Sequence, residues 1–109
     1  MIRVTTIVAA LVSASWPAAA QMSDLERLQV ATDLGTVLGS EAACDLSYDH
    51  SAIAAFVEER VPADDMAFPS TLNMMAGGTE FEVQGMSQSL KTAHCTQIRR
   101  IAKSYGFIE

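Results

Sequence analysis

The sequence predicts an all-α fold, a small bundle of three to four helices stapled by one disulfide. Three observations carry that expectation. Apolar residues recur every three or four positions, and alternating strand-like runs are missing. Serine, threonine and aspartate stand where helices should start, and glycine or proline where they should stop. There are two cysteines, Cys44 and Cys95, far enough apart to clasp separate elements.

The first helix is expected to open at Ser23, where Ser23-Asp24-Leu25-Glu26 fits a capping box. Leu25, Leu28, Ala31, Leu34 and Leu38 fall at helical spacing, and Gly39 ends the element. Ser40 to Leu46 reads as a loop holding Cys44. A second helix begins after Ser47 or Asp49, either of which can cap it. Its apolar face is Ala52, Ile53, Phe56 and Val57, with Glu58, Glu59 and Arg60 toward water, and Pro62 stops it. A third, shorter helix is expected from about Asp65 to Ala76, capped by Asp64, with Phe68, Leu72, Met75 and optionally Met66 inward, and with Pro69 acceptable in a first turn but costly later. Gly77-Gly78 reads as a break. Thr79-Glu80-Phe81-Glu82 then fits a second capping box, opening the longest helix, which reaches about Ser104. Met86, Leu90, Ala93 or His94, Gln97 or Ile98, and Ile101 lie along its stripe, with Cys95, Ile98 and Ala102 beside it. Gly85 weakens it, and Gly106 ends it, leaving Phe107-Ile108 as an apolar hook.

Residues 1–20 have the parts of a secretory signal: Arg3, an apolar stretch from Val4 to Val12, and Trp16-Pro17 before Ala18-Ala19-Ala20. Cleavage is expected between Ala20 and Gln21, leaving residues 21–109 as a single helical domain. A membrane span needs about 18 or more unbroken apolar residues. Thr5, Thr6, Ser13, Ser15 and Pro17 interrupt this stretch, so no stable span is expected after cleavage. The destination is the periplasm or the exterior. Oxidising compartments favour disulfides, and two cysteines allow one intramolecular pair, Cys44–Cys95. A redox pair usually has the spacing Cys-x-x-Cys, which is absent.

The 109 residues carry 13 acidic and 7 basic side chains, net −6, which disfavours nucleic-acid binding. Charge is also polarised. Gln21 to Glu82 holds 12 acids and two bases; Val83 to Glu109 holds four bases and one acid. The four bases, Lys91, Arg99, Arg100 and Lys103, form a candidate interaction face for an acidic partner, and three of them also complement the helix dipole. The acidic pairs Glu58-Glu59 and Asp64-Asp65 face different ways on a helix and do not make a two-carboxylate site. Asp45 and Asp49 lack the glycine and terminal glutamate of a calcium loop. His50 and His94 have no nucleophile motif around them. Thioethers bind Cu(I), but Met22, Met66, Met74, Met75 and Met86 have no repeated metal-binding spacing and suit core packing. No catalytic residue, metal or cofactor is expected.

The stretches Ala31 to Cys44 (ATDLGTVLGSEAAC) and Thr92 to Phe107 (TAHCTQIRRIAKSYGF) resemble those of short exported bacterial helical proteins. That resemblance implies export and a helical fold, and brings no activity with it. Val83-Gln84-Gly85-Met86 and Cys95-Thr96-Gln97 are similar to text in the acid-stress periplasmic chaperones of enteric bacteria. The spacing between the two pieces differs here, and the lysine-rich ends of that family are missing. This second resemblance implies an all-helical body with one disulfide spanning most of it. The leading expectation is a non-enzymatic protein-binding or protective factor whose partner is another envelope protein. The alternatives are an acid-stress chaperone and a redox or copper-binding factor.

Overall fold

A computed structural model describes residues 21–109; the expected signal segment 1–20 lies outside them. The described residues form four helices and no strand: α1 Asp24–Gly39, α2 His50–Arg60, α3 Phe68–Gln84 and α4 Gln88–Ser104. The all-α expectation holds.

Helix α1 starts at Ser23 with both halves of the capping box in place: the Ser23 hydroxyl accepts from the Glu26 N–H, and the Glu26 carboxylate accepts from the Ser23 N–H. Its buried side is Ala31, Leu34, Gly35 and Val37. Leu25 and Leu28, expected on the core stripe, are instead 75% and 43% exposed. They stand one to two turns before Ala31, the first fully buried residue of the helix. Helix α2 is capped by Asp49, whose Oδ1 accepts from Ser51 N, Ala52 N and the Ser51 hydroxyl.

The third helix differs from its expected course at both ends. It begins at Phe68, and Asp65, rather than Asp64, satisfies its opening by accepting from Ala67 N and Phe68 N at 3.2 and 3.0 Å. It then runs straight through Gly77-Gly78 to Gln84. Each mid-helix glycine costs about 1 kcal/mol relative to alanine. Contacts on both sides of the pair hold the helix across it: Met75, Ala76 and Thr79 against α1, and buried Val83 beyond. The expected long helix from Thr79 to Ser104 is accordingly divided. The break falls at Gly85-Met86-Ser87, and the Ser87 hydroxyl caps α4 by accepting from Leu90 N. Thr79-Glu82 is interior helix, not a capping box.

The principal packing is α1 against α3. These two run in the same direction, because Gly35 faces Met75 and Gly39 faces Thr79. A Cβ at Gly35 would lie 2.8 Å from the Met75 Cβ, and one at Gly39 2.9 Å from the Thr79 Cβ. Only glycine admits this approach. At the opposite end the Arg27 guanidinium grips Asp65: Nε donates to Oδ1 at 2.8 Å and an Nη to Oδ2 at 2.9 Å. Asp65, with its side chain 5% exposed, thus both opens α3 and ties it to α1.

Helix α2 is held mainly by the chain's end. Helix α4 closes with Gly106 at φ +78°; Gly106 N donates to Lys103 O, and Phe107 N to Ala102 O. These are the two bonds of a Schellman motif, and they turn Phe107 inward. Phe107, 1% exposed, packs with Tyr48, Phe56 and Tyr105 at ring-centroid distances of 5.5 to 5.7 Å. Its carbonyl also accepts from Asp49 N, so the hook fixes the start of α2. The expected apolar hook is present.

Candidate interaction surfaces

Cys44 and Cys95 form a disulfide, with Cα atoms 5.3 Å apart. The bond joins the turn after α1 to the middle of α4, and both cysteines are buried with Ile98 in a small cluster of their own. Asp45 follows Cys44 in left-handed conformation, φ 55°, where aspartate is among the better-tolerated residues. Neither cysteine is a free thiol.

The four bases of α4 fan over about half the helix circumference: Arg99 and Arg100 each neighbour Lys103, at i, i+4 and i, i+3, and Lys91 lies two turns before Arg99. Lys91 and Arg99 line an open depression over the disulfide, with Gln88, Thr92 and Asp45. The carboxylate of Asp45 there makes the depression mixed in sign. Both ion pairs found among the described residues belong to Arg27, so these four bases make none there.

His94 has a structural partner that spacing alone does not show. Ser40 is fully buried at the C-terminus of α1, its Oγ 2.7 Å from Thr36 O and 2.8 Å from His94 Nε2. Two oxygens at 2.7 Å need a proton between them, so the hydroxyl donates to Thr36 O. The imidazole must then donate from Nε2. The serine proton is already committed to the helix, which is the reverse of an activated nucleophile. His50 is exposed at the first position of α2, beside the capping Asp49.

The carboxylates with altered acidity are the structural ones. Hydrogen bonds from Ser51, and then from Ala52 N, hold Asp49 below the usual carboxylate range. The Arg27 guanidinium holds Asp65 below it as well. The Tyr48 phenol is pushed up to about 12, by burial first and then by Glu41. Its hydroxyl donates to Val37 O at 2.8 Å, while Glu41 accepts from Tyr48 N at 2.7 Å.

Large apolar side chains stand in solvent on three helices: Leu25 on α1, Met74 and Phe81 on α3, and Leu90 on α4, at 75, 62, 82 and 62% exposure. Met66, just before α3, is 84% exposed. Phe81 and Met74 were legible as an outward pair only once Gly77-Gly78 is known to be helical, because the continuous helix sets them seven residues apart on one face. Of the methionines, Met75 packs against the core while Met66 and Met74 are exposed. No cluster of three or more His, Cys, Asp or Glu side chains placed to hold a metal occurs among the described residues. No described helix is long and apolar enough to cross a membrane. Comparison with protein-family models, with curated proteins and with solved structures finds no match.

Proposed function

We propose that this chain is an exported, disulfide-stapled helical protein that binds or protects other proteins of the cell envelope and performs no catalysis. The observation that carries the reading is the set of large apolar side chains left in water by so small a body. An isolated exposed leucine needs no explanation. Leu25, Leu28, Met66, Met74, Phe81 and Leu90 are six such side chains on a body of 89 described residues, and they favour contact with other proteins. The disulfide suits an oxidising compartment. Lys91, Arg99 and Lys103 offer an acidic segment of such a partner a place to rest.

The test is site-specific photo-crosslinking in the intact envelope. A photoreactive residue at Leu25 or Leu90 should capture a defined protein, and the same residue at Glu58, on the charged side of α2, should not. Capture from neither apolar position, or equal capture from Glu58, overturns the reading. Intact mass of the exported protein should also place its first residue at Gln21.

The acid-stress reading is favoured by a separate observation: Asp49 caps α2, Asp65 accepts from the Ala67 and Phe68 N–H groups at the start of α3, and hydrogen bonds hold both below the usual carboxylate range. Acid therefore acts on the joints of the fold.

A further inference from the structure

Gln21 carries a chemistry that the helices do not use. It is exposed, and half-buried Met22 and the capping Ser23 stand between it and α1. It borders an open depression with Met22, Arg27, Asp64, Asp65 and Ala67. It also follows Ala18-Ala19-Ala20, the expected cleavage point.

We propose that removal of the export signal makes Gln21 a modification site: its freed α-amine closes on its own carboxamide to give a pyroglutamyl lactam, so that the mature protein begins without an amine. This rests on the proposed export and on cleavage after Ala20. While Ala20 precedes it, the nitrogen of Gln21 is a peptide amide whose lone pair is delocalised into the carbonyl. Cleavage turns the same nitrogen into an amine, and an α-amino group of ordinary pKa about 7.7–8.0 has a usable neutral fraction near pH 7. Its lone pair attacks Cδ of the side chain. The new N–Cδ bond closes a five-membered ring, and the Cδ–Nε2 bond breaks. One proton passes from the amine to Nε2, which leaves as ammonia. Nothing is oxidised or reduced, and no other reactant is consumed. Nucleophile and electrophile belong to one residue, so the step has the advantage of an intramolecular reaction.

Two features of the fold favour this end state. The capping box joins Ser23 to Glu26, so a ring formed within Gln21 leaves it untouched. The second feature is charge. Helices α1 and α3 run in the same direction, and the depression brings Gln21 beside Ala67, the residue before α3. The positive ends of both helix dipoles therefore lie on this side of the molecule, together with the Arg27 guanidinium. Of the nearby acids, Asp24 and Asp65 are bonded to Arg27, and Glu26 accepts from Ser23 N–H; Asp64 is the one that remains. Ring closure takes a like charge away from the start of α1. It also leaves no α-amine for an aminopeptidase of the envelope to grip.

The experiment uses the full chain, exported with its own signal and purified with its disulfide intact. Its mass should be that of residues 21–109 less one ammonia, and fragmentation should place the loss on Gln21. An amine-reactive reagent should label lysines and leave the first residue blank. Protein isolated still open should close on incubation at neutral pH within about threefold of the rate of the free peptide Gln-Met-Ser, because both reacting groups belong to one exposed residue. Gln21→Ser should begin at the same position, keep its full mass and take the label at its first residue. A chain that begins at Gln21 and keeps both its ammonia and its amine overturns the proposal and leaves the export reading standing. A first residue other than Gln21 overturns the cleavage reading and the site with it. Closure more than tenfold slower than in the peptide, or the same loss of ammonia from Gln21→Ser, also overturns the assignment.

Discussion

Ser40 shows how one buried hydroxyl selects the tautomer of a distant ring. It sits at the end of α1, its proton directed to Thr36 O, and the remaining lone pair accepts from His94 Nε2. The sequence marks His94 as an uncertain position on an apolar stripe; only the fold reveals that its partner lies 54 residues earlier. A hydrogen bond of this kind contributes about 0.5–1.5 kcal/mol net. Ser40→Ala and His94→Ala should each destabilise by an amount in that range, and the double variant by less than their sum, because the two side chains share one bond. Chemical denaturation of the three variants measures the coupling. Nitrogen chemical shifts of His94 in the neutral ring should show the proton on Nε2. Strict additivity, or a proton on Nδ1, would remove this bond from the account.

At the scale of the element, α1, α2 and the terminal hook were readable from local chemistry, whereas the boundary between α3 and α4 was misplaced although Ser87 caps α4 locally. Ser23 with Glu26, Asp49, and the Gly106-Phe107 closure each satisfy helix termini with groups adjacent in sequence, so α1, α2 and the hook follow from the text. Gly77-Gly78 obeys no such local rule, because tertiary contact of α3 with α1 outweighs its propensity. For the same reason Leu25 and Leu28 fit the helical period yet find no neighbour to bury them. The Cys44–Cys95 pairing was legible by count alone, and its loop, with 51 residues of separation, is long. Chain-entropy arguments give such a bond about 4 kcal/mol, against a total of about 5–15 kcal/mol for an ordinary domain. Replacing both cysteines by serine should therefore lower the melting temperature by more than about 10 °C, given about 4–8 °C per kcal/mol at this size. Calorimetry decides it. A shift of only a few degrees would mean that the α1–α3 packing carries the fold without the staple.

For the whole molecule, the distribution of charge makes acid the condition that changes it most. Asp49 opens α2, and Asp65 opens α3 while holding Arg27 of α1, so two carboxylates fasten three of the four helices. Both are held below the usual carboxylate range in the fold, by hydrogen bonds from Ser51 and from Arg27 respectively. Each then contributes stability above the ordinary carboxylate value near pH 4, and that contribution is lost as pH falls through the lower folded value. Carboxylates as a class lose their charge in acid while lysine and arginine keep theirs, and Gln21 to Glu82 holds 12 acids. The chain passes from net negative to net positive while its helix caps weaken. The disulfide does not titrate, so α4 stays fastened to the end of α1. A compact state with loosened joints is expected between about pH 4 and pH 2, with Phe56, Phe68 and Leu72 joining the side chains already exposed. Near-ultraviolet circular dichroism should fade and a hydrophobic dye should bind over this interval, with helicity largely retained. Asp65→Asn should lower stability at pH 7 and flatten its dependence on pH below 4, because the substituted group no longer titrates. If acid-exposed surface is how the protein protects others, the wild type at pH 2–3 should suppress light scattering by an aggregating client at stoichiometric amounts. Scattering that proceeds unchanged while the dye binds would leave an acid-labile fold and end the chaperone reading.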